Sequence, residues 1–175
     1  IKLMKNKILH ILLFILLNNL IFFDGYSVEQ FNFDVTEVEI LNDGNIIKGL
    51  KKGTVKTNDG ITIIADTFVY NKLSNILTAD GNVEIIDSNQ DLKIYSDNAI
   101  YQKNDEIITT NQNSKAIYGI GKFMYADNFK VFRNENILNA KGNVKIENTI
   151  DDHLITGDDF TYFKNSEKIF SKGET

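Results

Sequence analysis

One short pattern recurs along this chain at a near-constant step. It is marked by four aspartates, which lie 31, 30 and 31 residues apart: Asp66, Asp97, Asp127 and Asp158. The copies begin at residues 63, 94, 124 and 155, and two of them continue into a Gly-Asn-Val triplet, at 81–83 and 142–144. A unit of this size cannot bury an apolar face alone, so the copies are predicted to stack and to share one continuous core.

Apolar and polar residues alternate within each copy, as in Phe68-Val69-Tyr70 and Val83-Glu84-Ile85. A period of two is typical of half-buried β-strands, and no segment after the first 27 residues shows sustained helical periodicity. The sequence therefore predicts an all-β fold in which each repeat forms part of a flat, two-walled coil. Three columns are predicted to face the interior: Ile63, Ile94, Met124 and Ile155; Phe68, Ala99, Phe129 and Phe160; Tyr70, Tyr101, Val131 and Tyr162.

Two other columns predict corners and turns. The Asp66 column follows a small residue, which predicts a corner where the aspartate caps backbone N–H groups. A ladder of metal ligands is disfavoured, because one carboxylate per coil supplies too few oxygens for a hard cation. Gly81, Gly142 and Gly173 predict a second corner. A basic column is predicted to lie in solvated turns between strands: Lys72, Lys103, Arg133 and Lys164.

The first 27 residues are typical of a cleaved export signal. Lys5 and Lys7 precede an apolar run from Ile8 to Phe23, and Gly25 and Ser27 suit cleavage before Val28. A retained membrane anchor is the alternative, although the run is short for a bilayer span. The prediction is a signal peptide over 1–27 and one β domain over 28–175. Because the chain has no Cys, an oxidising compartment would neither help nor harm it.

A degenerate first unit is predicted before the clear copies. Its strands are predicted at 31–35 and 53–57, joined through the turn signal Asn42-Asp43-Gly44-Asn45. The first strand lacks Pro and Lys, so its edge is predicted to be free to pair with another sheet. The predicted edge-pairing residues are Phe31, Phe33 and Val35; covering of this edge by the chain's own loops is the alternative.

The composition argues against several functions. The net charge is −5 with no basic block, which disfavours nucleic acid as a partner. Only His10 and His153 are present, so no histidine dyad is expected. Adjacent carboxylates such as Asp158 and Asp159 would point to opposite faces of a strand, which does not suit a glycosidase site. The sequence predicts no enzyme, no cofactor and no metal.

The repeated segments resemble the OstA-like (LptA-like) domain of the lipopolysaccharide transport system. The resemblance rests on Ala65-Asp66-x-Phe68-x-Tyr70 and Ala126-Asp127-x-Phe129, with the Leu-x-Ala-x-Gly-Asn-Val segments at 77–83 and 138–144, and it covers residues 31 to 175. It implies a folded-over antiparallel sheet, a β-taco, open at one side and at its strand edges. It also implies a periplasmic protein whose apolar inside carries the acyl chains of lipopolysaccharide and whose copies join by strand edges.

Within that family the opening segment 30–35 is most similar to the periplasmic N-terminal domain of LptD, with the stand-alone LptA and the anchored LptC as alternatives. The chain stops at Gly173-Glu174-Thr175, where the other copies enter a strand, so a truncated C-terminal end is expected. If a C-terminal barrel follows, the resemblance implies association with the outer membrane.

An apolar lining is the feature on which the transport hypothesis depends, because burial gives about 0.8 kcal/mol per CH₂ of an acyl chain without fixing its position. The rival hypothesis is a structural or polysaccharide-binding β-solenoid with a closed, dry core, and the outward Tyr95 and Tyr125 keep it open. The predicted groove residues are Ile63, Phe68, Tyr70, Leu77, Val83, Ile85, Ile94, Tyr101, Met124, Phe129, Val131, Leu138, Val144, Ile146, Ile155, Phe160 and Tyr162.

Overall fold

The protein is built from antiparallel strands joined by tight turns. A computed structural model describes residues 31–172, so the predicted signal peptide (1–27) and Gly173 lie outside the described residues. The strands are β1 (Asn32–Val35), β2 (Val38–Leu41), β3 (Ile46–Gly49), β4 (Gly53–Lys56), β5 (Ile61–Ala65), β6 (Thr67–Asn71), β7 (Ile76–Asp87), β8 (Leu92–Gln102), β9 (Ile107–Asn111), β10 (Ser114–Ile117), β11 (Lys122–Ala126), β12 (Asn128–Phe132), β13 (Ile137–Asn148), β14 (His153–Phe163) and β15 (Lys168–Ser171). The all-β prediction is confirmed.

Helical structure is confined to short pieces in the described part of the chain. Two 3₁₀ turns, Arg133–Glu135 and Lys164–Ser166, follow β12 and β14. Within residues 31–172 no helix is long and apolar enough to cross a membrane.

All fifteen strands belong to one sheet, which is folded over into two facing walls. The first wall runs β1, β4, β5, the second half of β7, the first half of β8, β10, β11, the second half of β13 and the first half of β14. The second wall runs β2, β3, β6, the first half of β7, the second half of β8, β9, β12, the first half of β13, the second half of β14 and β15. This is the folded-over sheet that the resemblance implies.

The walls are joined by backbone along one side, where the long strands bend. The register of β7 against β8 shifts between Asp80 and Val83, and that of β13 against β14 shifts between Lys141 and Val144. Each shift is a β-bulge, which bends the strand and strengthens its twist. Gly81 lies in the first bulge at φ 77°, a left-handed conformation that glycine adopts without strain. The predicted glycine corner is confirmed there and, with the same φ, at its repeat mate Gly142.

The aspartate column contacts this corner through its side chains and its backbone. Asp66 Oδ2 accepts a hydrogen bond of 2.7 Å from the side-chain amide of Asn82, while its backbone N–H donates to the Gly81 carbonyl at 2.9 Å. The same amide-to-carboxylate bond joins Asn113 to Asp97 and Asn143 to Asp127. The prediction that these aspartates cap backbone N–H groups is therefore wrong: their partners are asparagine side chains 16 residues further on.

The first unit contains two more strands than predicted. β1 and β4 form and pair as expected, at Asn32–Lys56 to Val35–Gly53. The turn at 42–45, however, joins β2 to β3, which lie in the second wall. The chain therefore crosses between the walls already before the first clear repeat, and both walls begin with a strand of this unit.

The strict alternation of the strands places their apolar side chains between the walls. In β5, for example, Ile61, Ile63 and Ala65 are buried, whereas the residues between them are half-buried. The polar turns of the second wall end in left-handed residues at matching repeat positions, Asn75, Glu106, Asn136 and Glu167. The core therefore lies between the walls and runs the length of the stack.

Candidate functional site

The interior between the walls is the candidate site, and it contains nearly all the predicted groove residues. All of them except Ile155 are buried, from Ile63 and Phe68 at one end to Tyr162 at the other. Ile155 is 42 % exposed, although its pairing with the buried Ile146 places it on the inward face. It lies in the last strand of the first wall, so among the described residues no further rung covers it.

Over the N-terminal part of the stack the two walls pack directly against each other. Phe31, next to β1 in the first wall, meets the ring of Tyr70 in the second wall at 4.7 Å and that of Tyr101 at 5.7 Å. Phe33 lies 6.4 Å from Phe68 across the same gap. Edge-on ring pairs of this kind add about 0.5–1.5 kcal/mol to the gain from burial. This part of the interior is a packed core.

Charged side chains bridge the walls on the side away from the corners. Arg133, at the end of β12 in the second wall, donates from Nε to Asp87 Oδ2 at 2.7 Å and from Nη1 to Asp59 Oδ2 at 2.6 Å. Both aspartates belong to the first wall, one in the turn after β4 and one at the end of β7. Lys103 Nζ reaches the same Asp59 oxygen at 2.8 Å.

Polar groups of the second wall complete this cluster. Glu106 pairs with both Arg133 and Lys103, and it accepts a bond of 2.7 Å from the hydroxyl of Tyr101. We call the group the lateral latch; its members are Asp59, Asp87, Tyr101, Lys103, Glu106 and Arg133.

The latch overturns the expectation of solvated turns at Lys103 and Arg133. Arg133 is only 8 % exposed and Asp87 only 2 %. Three members of the basic column, Lys103, Arg133 and Lys164, extend inward across the open side. Each follows the last inward apolar residue of its strand by two positions, as Arg133 follows Val131. The inward alternation thus continues into the turn. Lys72 is exposed, as predicted for a solvated turn.

The pKa values of the latch follow from its pairing. Burial raises the pKa of the Asp59 carboxyl, but the bonds from Lys103 and Arg133 outweigh burial and hold that pKa well below its ordinary value. Burial disfavours the charged form of Arg133, yet its bonds to Asp87 and Asp59 raise its pKa further. Burial and the bond to Glu106 raise the pKa of Tyr101. Asp59 and Arg133 are therefore charged at neutral pH, and Tyr101 is a neutral donor.

A cavity of about 460 Å³ lies at the C-terminal end of the interior. This size falls within the range of ligand pockets in proteins. The rings of Tyr118 and Tyr162 face each other from the two walls at 4.7 Å, and burial together with Tyr162 raises the pKa of Tyr118 to about 12. The cavity is lined by Tyr118, Lys122, Ile146, Asn148, His153, Leu154, Ile155, Tyr162, Glu167 and Ile169.

In the described part of the chain, one ion pair crosses between the walls beside this cavity. Lys122 Nζ lies 3.0 Å from Glu167 Oε2, and the side chain of Glu167 is 70 % exposed. An exposed pair of this kind contributes about 0–1 kcal/mol. The contacts that join the two walls are therefore much weaker beside the cavity than at Arg133.

The described chain resembles solved structures in its fold, and one of them illustrates the likeness. That structure is LptH, the LptA-homologous periplasmic component of the conserved lipopolysaccharide transport device from Pseudomonas aeruginosa; the two chains are 13 % identical, with a TM-score of 0.56, and the match covers 64 % of this chain and 82 % of LptH. The chain has the LptA-like fold. No protein-family model and no curated protein matches the sequence.

Within residues 31–172 the LptA-like fold has four strand edges at its two ends. β1 and β2 form the N-terminal edges of the two walls, and the first half of β14 and β15 form the C-terminal edges. Phe31 is buried and Phe33 and Val35 pack against the core, so these three side chains point inward and are not themselves at the pairing edge. The exposed Asn32 and Asp34 point outward from the same strand. Within residues 31–172 the outer edge of β1 pairs with no other strand.

Proposed function

We propose that this chain is a periplasmic lipopolysaccharide-transport domain that holds acyl chains between its walls. The observation that carries the proposal is the cavity of about 460 Å³ at the end of an otherwise packed apolar interior. Ile146, Ile155 and Ile169 supply apolar surface there, and Tyr118 and Tyr162 form its inner end. Each CH₂ of an acyl chain gains about 0.8 kcal/mol on entering such a lining, without a fixed position.

We also propose which component of the transport system this chain corresponds to. We place the chain with the periplasmic N-terminal domain of LptD, on the sequence resemblance of segment 30–35. The outer edges of β1 and of the first half of β14 pair with no other strand within residues 31–172, and they would join domains of similar fold end to end. The interiors of the joined domains would then form one path to the outer membrane. No step in this account needs a catalytic residue.

The rival hypothesis, a polysaccharide-binding solenoid, finds less support on the outer face. Lys93 Nζ lies 5.6 Å from the ring centre of Tyr95, and Lys115 and Lys145 lie 5.4 and 5.6 Å from that of Tyr125. Lysines in these positions occupy the ring faces on which a sugar would stack. The outward tyrosines are therefore engaged within the wall.

The test is lipopolysaccharide binding by two neighbouring variants of β14. Ile155 faces the cavity and Thr156 faces outward, and both are exposed, so either position accepts a charge without unfolding the core. Ile155→Asp is expected to weaken binding about tenfold or more, since it puts a carboxylate among acyl chains. Binding is measured by displacement of N-phenyl-1-naphthylamine from the purified chain.

Thr156→Asp is the matched control and is expected to bind as the unchanged chain does. Equal binding by both variants would contradict the cavity as the acyl-chain site. Absence of binding by the unchanged, folded chain would contradict the transport proposal and favour the closed solenoid.

A further inference from the structure

The lateral latch divides the interior into two parts that differ in access. Behind it lies the packed N-terminal core, and beyond it lies the C-terminal cavity. The void between them, lined in part by Gln90, Val131 and Lys164, has a volume of only about 20 Å³. That is room for about one water molecule. An acyl chain in the cavity therefore has no formed path toward β1.

The latch also fixes the distance between the walls at this point. Arg133 joins two successive turns of the first wall through Asp59 and Asp87, and Gln90 Nε2 donates to the Arg133 carbonyl at 2.7 Å. Lys164, one repeat further along, donates to the carbonyl of Gln90. The bridging contacts therefore extend over neighbouring repeats on the side where no backbone connects the walls.

Charged groups suit a contact that opens and closes. Separating apolar walls exposes apolar surface to water, which costs about 25 cal/mol of free energy per Å². Separating ion pairs instead returns the charges to water, and this hydration offsets much of the lost attraction. Among the cross-wall contacts of residues 31–172, the latch is the one whose opening is compensated in this way although its central pair, Arg133 and Asp87, is buried when closed.

We infer that the lateral latch is a gate: while closed it blocks apolar chains from the packed part of the interior, and its opening lets the walls part locally to admit them. The cavity end, bridged only by the exposed pair of Lys122 and Glu167, stays accessible throughout. Access along the interior is thus graded from the C-terminal end to the N-terminal end. The gate acts on the entry of any apolar chain, whether or not the occupant is lipopolysaccharide.

The test uses a single thiol placed behind the latch. The chain has no Cys, so Ile108→Cys introduces the only reactive thiol, at a position in β9 that is 1 % exposed and pairs with Tyr101 and Val131. Its rate of reaction with N-ethylmaleimide reports how often the walls part at that point. The rate is measured over a range of urea concentrations below the unfolding transition.

In the chain that carries only Ile108→Cys, labelling is expected to be nearly independent of urea. Local opening exposes little surface, whereas global unfolding gives a steep urea dependence. Labelling that follows the urea dependence of global unfolding alone would overturn the gate. This comparison needs no latch variant, so it stands even if such variants fail to fold.

Two further variants vary the latch itself. Adding Arg133→Gln is expected to speed labelling about tenfold or more at low urea, because the cross-wall bonds to Asp59 and Asp87 are lost. Arg133→Met together with Asp87→Leu is expected to slow it, because an apolar contact gains no hydration on opening. Lys141→Gln, on an exposed position of β13, is the control and should leave the rate unchanged. Equal rates in all four chains would overturn the inference.

Discussion

At the scale of single residues, the repeat pattern predicts a basic residue at position 133 but not its burial in a cross-wall ion pair. Each repeat places one basic residue after a strand of the second wall, and the sequence predicts a solvated turn there. The partners that bury Arg133 lie 46 and 74 residues away, at Asp87 and Asp59. Neither aspartate belongs to a repeat column, so spacing within the repeats gave no signal for them. The recurrence of a positive charge at that position in all four repeats is the sequence feature that indicates a role for it.

Removal of Arg133 is expected to destabilise the fold strongly. Arg133→Met leaves Asp87, which is 2 % exposed, without its ion-pair partner, and breaking one side of a buried pair costs about 3–5 kcal/mol. Because Asp59 and Glu106 are more exposed than Asp87, we expect the lower end of this range, about 3 kcal/mol. The free energy of unfolding is measured by urea denaturation monitored by circular dichroism.

The control for this prediction is Lys141→Met, which removes a positive charge from an exposed position of the same sheet. It is expected to change the free energy of unfolding by less than about 0.5 kcal/mol. Equal effects of the two substitutions would show that Arg133 is not held as the structure describes.

At the scale of elements, the corner is the part of the repeat that the sequence predicted best. Gly81 and Gly142 were expected at bends, and both lie in β-bulges at φ 77°. Alternation also predicted the inward columns, because one face of every strand is turned toward the opposite wall and the other face is turned toward solvent. Ile155 points inward as the alternation predicts, but its side chain is exposed. It lies in the last described strand of the first wall, so no further described strand covers it. The aspartate contact was missed because an Asp can bond to many local groups.

Replacement of Gly142 is expected to disrupt the corner through a specific collision. A Cβ at this position would lie 2.2 Å from Asp127 Oδ2, in addition to the strain of a left-handed backbone. Gly142→Ala should therefore destabilise by about 2–3 kcal/mol. Gly44→Ala is the control: Gly44 also has a positive φ, of 87°, but a Cβ added there would have no neighbouring atom within 4 Å. It should cost about 1 kcal/mol.

Adding Asp127→Ala to Gly142→Ala separates the two causes. The double variant should lose less stability than the sum of the single variants, because the collision is gone. Strict additivity of the two substitutions would argue against the contact.

At the scale of the whole molecule, the LptA-like fold is a stack with two unlike ends. The N-terminal end is packed shut by rings from both walls, whereas the C-terminal end contains the cavity. Repeat period and alternation predict the two walls and the lining. The state of the interior depends on how closely the walls approach, and this depends on side-chain contacts between them that no local pattern encodes.

Joining of these ends is tested with pairs of single-cysteine variants. Asp34→Cys on β1 and Thr156→Cys on β14 lie on outward positions of opposite edges of the first wall. Strand addition between copies would bring such positions within about 4.5–5.5 Å, which allows a disulfide. Mixed under oxidising conditions, the two variants should form a heterodimer visible by non-reducing electrophoresis. Lys93→Cys, on the outer face at mid-wall, should not link to either, and equal linking of all pairs would contradict edge pairing.

The central claim, that acyl chains lie between the walls, is tested most directly by photocrosslinking to lipopolysaccharide. A photoreactive residue is placed in turn at Ile155 and Ile146 in the cavity, at Phe68 in the packed core, and at Thr156 and Lys145 on the outside. We expect strong crosslinks at Ile155 and Ile146 and none at the two outside positions. Crosslinks at Phe68 are expected to be weaker and to increase when the latch is broken by Arg133→Gln. Crosslinks confined to Thr156 and Lys145, or absent from every position of a folded chain, would contradict the central claim.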